Sequence, residues 1–242
     1  MRLLTALAFT GLVVGCDAER VGDIVPREEP VSPRSVSELA RDSRPARSDR
    51  DSQQKIIAFG DSLTAGFGIG KDEAYPAMLQ QLVDDEGYPY EVVNAGVSGE
   101  TSAGGVRRLS WVLEDRDVVA LILELGGNDA LRGLPPSEMK KNLMTIIDGG
   151  LERGIPVLLA GFRTDSEPSD RYVKQFVQVY EDLAQERDVT FLSNFLAGVA
   201  GVADLNQADG KHPNADGARA VAANVWDVLK PMLPPTDRAS EP

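Results

Sequence analysis

The sequence predicts an α/β domain, a doubly wound and mainly parallel sheet of five strands with helices on both faces. Short apolar runs alternate with stretches of helical periodicity along residues 55–232, which is typical of a parallel sheet whose crossovers are helical. The run at residues 118–125 is apolar at nearly every position, as expected for a strand covered on both faces. Together these two observations favour the doubly wound class.

The elements follow one another in a regular order. The predicted strands are residues 56–59, 90–93, 118–125, 155–161 and 189–192. Apolar residues recur with the period of a helix at residues 74–86, 137–153, 170–186 and 215–232. Ligands of such sheets bind at the carboxyl ends of the strands, so the segments after the strands are the candidate site.

The composition excludes several classes of function. The 242 residues are 42% hydrophobic and 26% charged, so the chain is neither disordered throughout nor a polytopic membrane protein. Its net charge of −13 would repel a phosphate backbone, and we expect no nucleic-acid partner. One cysteine and one histidine allow no internal disulfide and cannot supply the ligands of an ordinary zinc site.

Residues 1–16 have the features of a lipoprotein-type signal peptide. Arg2 precedes an apolar run of 12 residues, long enough for a signal core but short of the roughly 20 residues that span a bilayer. Cys16 follows Val13-Val14-Gly15 and resembles the bacterial lipobox, in which cleavage before the cysteine exposes it for lipidation. The alternatives are an ordinary signal cleaved nearby or an apolar segment that happens to end in Gly-Cys.

The segment after Cys16 predicts a disordered tether over residues 17–54. It carries nine acidic and seven basic residues, four prolines and few large apolar side chains, so it buries too little surface to offset its ordering entropy. The folded domain is expected over residues 55–234, with a flexible tail at 235–242. A lipid on Cys16 would hold an exported, periplasmic or cell-envelope protein at a membrane surface. By resemblance to bacterial lipoproteins, Asp17 indicates the inner membrane.

Four polar segments follow the predicted strands. They are GDSLTAG from Gly60, NAGVSGET at 94–101, GGNDALRG at 126–133 and DGKHPNADG at 209–217. Each has an ordinary explanation, since glycines permit turns and Asp61 or Ser62 can simply cap a helix. In a doubly wound sheet, however, such segments converge on one crevice. The chain's histidine, His212, lies in the last of them.

The glycine-rich segment after the first strand does not fit a nucleotide site. A phosphate loop needs glycine where Ala65 stands and Ser or Thr where Asp72 stands, and the third glycine of a dinucleotide fingerprint would fall on Lys71. Thr64 occupies the last glycine position of the G-x-S-x-G elbow, which argues against an α/β-hydrolase fold.

GDSLTAG, VSGET, GGND and DGKHPN, in that order, resemble the four blocks of the SGNH, or GDSL, hydrolases. LELGGNDALRG and VVNAGVSGETSAGG are most similar to the branch of bacterial acyl-CoA thioesterases, lysophospholipases and arylesterases. The resemblance covers about residues 55–232. It implies the flavodoxin-like SGNH hydrolase fold and a serine esterase that needs no metal or organic cofactor and acts on small acyl esters or lipids.

The resemblance also implies roles for individual residues. Ser62 matches the nucleophile, His212 its general base and Asp209 the carboxylate that orients the imidazole. The oxyanion hole would consist of the backbone N–H groups of Ser62 and Gly99 and the side-chain amide of Asn128. Gly99 could instead serve only as a turn glycine.

Other residues near these blocks have less specific roles. Leu63, Phe67 and Leu131 are candidates for the substrate-binding wall, although each could be ordinary core. Asp61 and Asp129 are expected to be structural, because a carboxylate beside the nucleophile would oppose an oxyanion.

The sequence departs from the thioesterase branch after the fourth strand. Where those relatives carry an aromatic-containing segment, residues 163–170 are polar and acidic, with Tyr172 as the nearest aromatic residue. This departure and the predicted export argue against long-chain acyl-CoA. They favour short or medium acyl esters, lysophospholipids or aryl esters, with thioesters also open. The alternatives are a polysaccharide O-acetyl esterase and a catalytically silent tethered binding protein of the same fold.

Overall fold

The computed structural model describes residues 53–114, 117–163 and 170–234. The predicted signal peptide, nearly all of the predicted tether and the predicted tail from residue 235 lie outside these ranges. Within them, no helix combines the length and the apolar character needed to cross a membrane.

Five parallel strands form one sheet, as predicted. They are β1 (Gln54–Gly60), β2 (Tyr90–Gly96), β3 (Val118–Glu124), β4 (Val157–Ala160) and β5 (Thr190–Leu192). Their order is β2-β1-β3-β4-β5, with every neighbouring pair parallel. The last five residues of both β1 and β3 are buried, because these strands lie inside the sheet and are covered on both faces.

The described ranges contain seven α-helices. They are α1 (Ser62–Ala65), α2 (Tyr75–Asp85), α3 (Ser102–Val112), α4 (Gly127–Leu131), α5 (Pro136–Leu151), α6 (Arg171–Glu186) and α7 (Ala215–Leu229). Short 3₁₀ turns lie at Ala203–Leu205 and Lys230–Met232. The four helices predicted from periodicity are present with slightly shifted ends, whereas α3 and the short helices α1 and α4 were not predicted.

The sequence of α3 does not predict a helix, because it contains two glycines. It contains Gly104 and Gly105, and glycine lowers helix stability by about 1 kcal/mol relative to alanine. A Cβ on Gly105 would lie 2.5 Å from the Leu125 side chain and 3.0 Å from that of Ile146. The glycine therefore permits close packing of α3 on its neighbours. The Thr101 hydroxyl caps the helix by accepting the Gly104 N–H at 3.4 Å.

Two apolar layers lie on opposite faces of the sheet. Alternate residues of β1 divide between them, since successive side chains of a strand point to opposite faces. Ile56 and Ala58 pack in the layer that contains residues of α2 and α7. Ile57 and Phe59 pack in the layer that contains residues of α3, α5 and α6. This division is the doubly wound arrangement.

The strand order changes direction next to β1, and this change positions the site. The chain passes from β1 to β2 on one side and then returns to β3 on the other, which places a crevice at the carboxyl ends of these strands. β1 ends at Gly60, where a Cβ would collide with the Thr64 hydroxyl and the Glu124 carboxylate. Glycine at this position therefore lets the chain turn at once into α1, which begins at Ser62.

Candidate active site

The four polar segments line one cavity. It has a volume of about 690 Å³ and lies beyond the carboxyl ends of β1, β2 and β3. Ser62 reaches it after β1, Gly99 after β2, Asn128 after β3 and His212 from the loop before α7. The structure thus brings together residues that are up to 150 positions apart in the chain.

Ser62, His212 and Asp209 form a continuous chain of hydrogen bonds. Nε2 of His212 lies 2.9 Å from the Ser62 Oγ, and Nδ1 lies 2.6 Å from the Asp209 Oδ2. An imidazole whose Nδ1–H is held by a carboxylate presents an unprotonated Nε2 to the hydroxyl. The arrangement can therefore remove a proton from Ser62.

Backbone hydrogen bonds hold the loop that carries His212. The Asp209 Oδ1 accepts the N–H groups of Lys211 at 2.9 Å and His212 at 3.0 Å. The Gln207 N–H donates to the His212 carbonyl at 2.8 Å, and the Gln207 side-chain amide donates to the Phe67 carbonyl at 2.6 Å. Gln207 thereby ties this loop to the segment after α1.

These bonds hold the pKa of Asp209 well below its ordinary range. The hydrogen bond from the His212 side chain is the largest cause, followed by those from the backbone N–H groups of His212 and Lys211. Asp209 therefore stays ionised in mildly acidic solution, and an ionised carboxylate can stabilise the imidazolium that forms when His212 accepts a proton.

A short helix sets the position of Ser62. Ser62 is the first residue of α1, and the preceding Asp61 caps the helix by accepting the Leu63 N–H at 3.0 Å. The helix ends at Gly66, whose φ of 75° is left-handed. As expected, the Asp61 carboxylate is occupied by a backbone N–H donor. The cap is Asp61, and the Ser62 hydroxyl is directed to His212.

Asn128 and Gly99 adjoin Ser62 on the cavity side. The Asn128 Nδ2 donates to the Asp61 Oδ2 at 2.7 Å. A side-chain amide has two N–H bonds, so this contact fixes the orientation of the amide and leaves its second N–H for a ligand. Gly99 has a left-handed φ of 79°. Its backbone conformation requires glycine, and it lines the cavity, so a turn and an N–H donor are compatible roles.

Sequence reasoning missed Glu124, the last residue of β3. Glu124 is fully buried, and its Oε2 accepts the Thr64 hydroxyl at 2.7 Å and the Asp61 N–H at 3.3 Å. Burial, together with the nearby Asp61 carboxylate, raises the pKa of Glu124 well above its ordinary value. Burial also raises the pKa of Asp61, although the donors on Leu63 and Asn128 oppose this shift. The contacts of Glu124 span about 60 residues, and no local sequence pattern signals them.

Asp129 is structural, as predicted. It is buried, and its two carboxylate oxygens accept the Ser102 N–H at 2.8 Å and the Ser102 hydroxyl at 2.6 Å. The Asn142 side chain donates in turn to the Ser102 hydroxyl at 3.0 Å. Asp129 therefore fastens the start of α3 to the turn that carries Asn128.

The cavity wall is largely apolar. Leu63, Phe67 and Leu131 all line it. Phe67 is 52% and Leu131 69% exposed, so these two are not core residues, whereas Leu63 also packs against the core. Further apolar lining residues that the sequence did not identify are Ala130, Phe162, Val173, Phe176 and Leu196. Tyr172 also lines the cavity. Residues 164–169 of the unusual polar segment lie outside the described ranges.

Potential metal ligands are scattered in the part of the chain that the structure describes. No group of three or more His, Cys, Asp or Glu side chains there is arranged to hold a metal ion. The carboxylates of Asp61, Glu124 and Asp209 are instead bonded to N–H and O–H donors.

Comparison with known proteins places this site in a family. The model of the GDSL-like lipase/acylhydrolase family matches residues 58–220. Esterase TesA of Pseudomonas aeruginosa is 39% identical over 180 residues, which cover 74% of this chain and 90% of TesA. Thioesterase 1/protease 1/lysophospholipase L1 of Escherichia coli K12 is 34% identical over 178 residues, which cover 74% of this chain and 84% of that protein.

The fold agrees with the sequence comparison. A crystal structure of TesA matches with a TM-score of 0.71 at 39% identity, covering 74% of this chain and 100% of that one. The residues matched by the family model include all four segments that line the cavity. The chain therefore belongs to the GDSL-like lipase/acylhydrolase family and is a carboxylic ester hydrolase.

Proposed function

We propose that this esterase acts by acyl transfer through Ser62, with His212 as the general base and Asp209 as the carboxylate that holds the imidazole. The 2.9 Å contact between the His212 Nε2 and the Ser62 Oγ carries the proposal. A serine hydroxyl is a weak nucleophile until a base takes its proton, and His212 is the base in contact with it. The depressed pKa of Asp209, caused first by its bond to His212, keeps the supporting charge in place.

The reaction has two steps. The Ser62 Oγ attacks the carbonyl carbon while His212 accepts the hydroxyl proton, and His212 then delivers that proton to the leaving alcohol or thiol. Water next attacks the acyl-enzyme, with His212 again accepting a proton, and the acid leaves as Ser62 regains its hydrogen. The oxyanion of each step is stabilised by the N–H groups of Ser62 and Gly99 and the amide of Asn128.

The cavity supports a substrate with a hydrocarbon acyl group. Its volume of about 690 Å³ falls in the usual range of ligand sites, roughly 300 to 1,000 Å³. The walls near Ser62 include Leu63, Phe67 and Leu131, which suit short or medium acyl esters, aryl esters or lysophospholipids. Thioesters fit the same chemistry. An acetyl group on a polysaccharide would leave most of this apolar wall unused, so we place that substrate second.

Export and anchoring belong to the same proposal. The apolar run before Cys16 supports a signal peptide, and lipidation of Cys16 would hold the enzyme at a membrane surface without a spanning helix. In cell fractions, Cys16→Ala should move the protein from the membrane pellet to the supernatant. An unchanged pellet fraction would contradict lipidation of Cys16 and would not affect the catalytic assignments.

Hydrolysis of p-nitrophenyl esters of graded chain length tests the catalytic roles. We expect Ser62→Ala and His212→Ala each to lower kcat by about 10⁴-fold or more, because either change removes a member of the unit that attacks the carbonyl. The dependence of kcat/KM on chain length in the wild-type enzyme reports how much of the apolar wall an acyl group uses.

Ser98→Ala is the matched control for the nucleophile. Ser98 lines the same cavity, whereas the hydroxyl within 2.9 Å of the His212 Nε2 belongs to Ser62. We expect the control to retain activity within a few-fold of the wild type. Turnover that survives Ser62→Ala, or that is lost equally in both variants, would contradict the assignment.

A further inference from the structure

Exposed apolar side chains are concentrated at one place on the surface. In the described ranges the exposed large apolar residues are Phe67, Val97, Trp111, Leu131, Leu134 and Val202. All of these except Trp111 lie at the mouth of the cavity. Exposed apolar side chains gathered around one opening mark an interaction site more often than scattered single residues do.

Three of these residues belong to the mouth without lining the cavity. Val97 and Val202 are each next in the chain to a lining residue. The Leu134 carbonyl accepts the hydroxyl of Tyr172, itself a lining residue, at 2.7 Å. The exposures of Val97, Leu134 and Val202 are 46%, 36% and 42%. Because they lie outside the cavity wall, binding of a substrate in the cavity does not explain their apolar character.

The charge of the mouth differs from that of the domain. Residues 55–242 carry a net charge of −12, yet among the described residues that line the cavity the exposed charged residue is Lys211. Arg132, also exposed, donates to the Gly99 carbonyl at 2.7 Å across the same opening. The carboxylate of the lining residue Asp61 is buried, and the Asp209 carboxylate is bonded to His212. In the part of the rim that the structure describes, Lys211 and Arg132 are thus two exposed cations.

We propose that this mouth docks on a phospholipid surface that contains anionic headgroups. Val97, Leu134 and Val202 enter the headgroup region, and Lys211 and Arg132 face lipid phosphates, since apolar insertion and cation attraction together are what hold proteins at such surfaces. Docking is a property of the rim alone. The further step, delivery of a lipid to Ser62, rests on the proposed function.

The position of the patch favours a lipid surface over a protein partner. A folded protein seated on the mouth would cover the cavity and close it to substrate. A fluid lipid surface in the same place supplies acyl chains directly to the apolar wall formed by Phe67 and Leu131. It also needs no shape complementarity to a rim built from separate loops.

Vesicle binding tests the docking surface. Residues 17–242, which lack Cys16 and carry Ser62→Ala to prevent turnover, are sedimented with phosphatidylcholine vesicles that contain or lack phosphatidylglycerol. We expect binding that is stronger with phosphatidylglycerol and weakened by salt. Val97→Ser, Leu134→Ser and Val202→Ser combined should lower the partition coefficient by about tenfold, because three apolar side chains no longer insert.

Trp111→Ser is the matched control. Trp111 is the most exposed large apolar side chain, at 71%, and lies away from the mouth, so this variant should bind as its parent does. With Ser62 restored, the triple variant should hydrolyse a soluble p-nitrophenyl ester at the wild-type rate. If the triple variant does not fold, Val202→Ser alone should weaken binding by about twofold.

Absence of vesicle binding, or equal binding by the rim variants and Trp111→Ser, would overturn the proposal. Binding that is lost in Trp111→Ser and kept in the rim variants would place the contact elsewhere and overturn it as well. A failure of the proposed function would give a different result. Ester hydrolysis would persist in Ser62→Ala, whereas the binding of the protein to vesicles would be unaffected.

Discussion

Two carboxylates near the Ser62 segment have opposite properties. Asp209 lies on a loop with 40% of its side chain exposed, and its pKa is held well below the ordinary range by the bond from His212 and by backbone N–H groups. Glu124 ends a central strand and is fully buried. Its pKa is raised well above the ordinary value, first by burial and then by the charge of Asp61.

The difference between them lies in their access to water. Three donor groups meet the partly exposed Asp209, which favours the ionised form. Donors on Asp61 and Thr64 also meet the buried Glu124, but they do not offset the loss of hydration. An ionised carboxylate can support an imidazolium, whereas a neutral acid can only hold neighbouring groups in place. Two carboxyl groups of one site thus serve different purposes: Asp209 supplies a charge, and Glu124 holds neighbouring groups in place.

Removing the charge of Asp209 should have the largest effect. Asp209→Asn keeps the side-chain volume but cannot stabilise the imidazolium, and its amide can favour the wrong tautomer of His212. We expect kcat/KM to fall by about 10⁴-fold, with little change in the midpoint of urea unfolding because the side chain is partly exposed. Asp216→Asn is the control, since Asp216 pairs with Arg219 on the surface. A loss of only a few-fold in Asp209→Asn would mean that the charge is not used.

The pH dependence of the wild-type enzyme sharpens the same point. The pKa of Asp209 is lowered, so its carboxylate is already ionised where activity rises on the acid side. Protonation of Asp209 should therefore not contribute to the acid limb of kcat/KM. A titration of the Asp209 carboxyl carbon in the pH range of that limb, followed by NMR, would contradict this prediction.

Asp61 is hydrogen-bonded both to Glu124 and to Asn128, and substitutions at Asp61 and Asn128 should have smaller effects on kcat than Asp209→Asn. Its N–H donates to Glu124, and its carboxylate accepts the Asn128 amide at 2.7 Å. We expect Asn128→Ala to lower kcat by about 10² to 10³-fold through loss of an oxyanion donor. Asp61→Asn should lower kcat less, because Asn128 remains but is less firmly oriented. An effect on KM alone, in single-turnover and steady-state measurements, would contradict a role for Asn128 in the transition state.

Local patterns in the sequence predicted the sheet and its main helices well. A buried parallel strand such as β3 reads as a continuous apolar run, and amphipathic helices such as α6 reveal one face through their period. α3 gave no such signal, because Gly105 is present for close packing against residues distant in the chain. Long-range packing decided the local structure in that segment.

Some residues of the site could likewise be predicted from the sequence, and others could not. Ser62, Asp209 and His212 stand out because their types and the order of their segments resemble a family, and the chain has one histidine. Their mutual distances follow from the strand order, which places the ends of the strands at one crevice. Glu124 stands in an apolar run, and its partners Thr64 and Asp61 are about 60 residues away. Only the three-dimensional contact explains why a carboxyl group is present in that strand.

Glu124→Gln tests the neutral-acid side of the comparison and has the smallest expected effect. A glutamine keeps a carbonyl oxygen for the Thr64 hydroxyl and the Asp61 N–H but never ionises. Because the pKa of Glu124 is raised in the folded protein above its ordinary value of 4.5, the unfolded chain loses this proton first as pH rises. The stability that the proton confers is complete below about pH 4.5 and declines as pH approaches the folded-state pKa.

Urea unfolding from about pH 5 to about pH 8 should therefore show Glu124→Gln gaining stability relative to the wild-type protein as pH rises towards the folded-state pKa. Glu152→Gln, at an exposed position, should differ from the wild type by an amount that stays constant with pH. Under this interpretation the hydrolytic rate of Glu124→Gln remains close to that of the wild type, since a neutral group replaces a neutral group. A stability difference that does not change with pH, or that falls as pH rises, would mean that Glu124 is ionised in the folded protein and that the two carboxylates are alike.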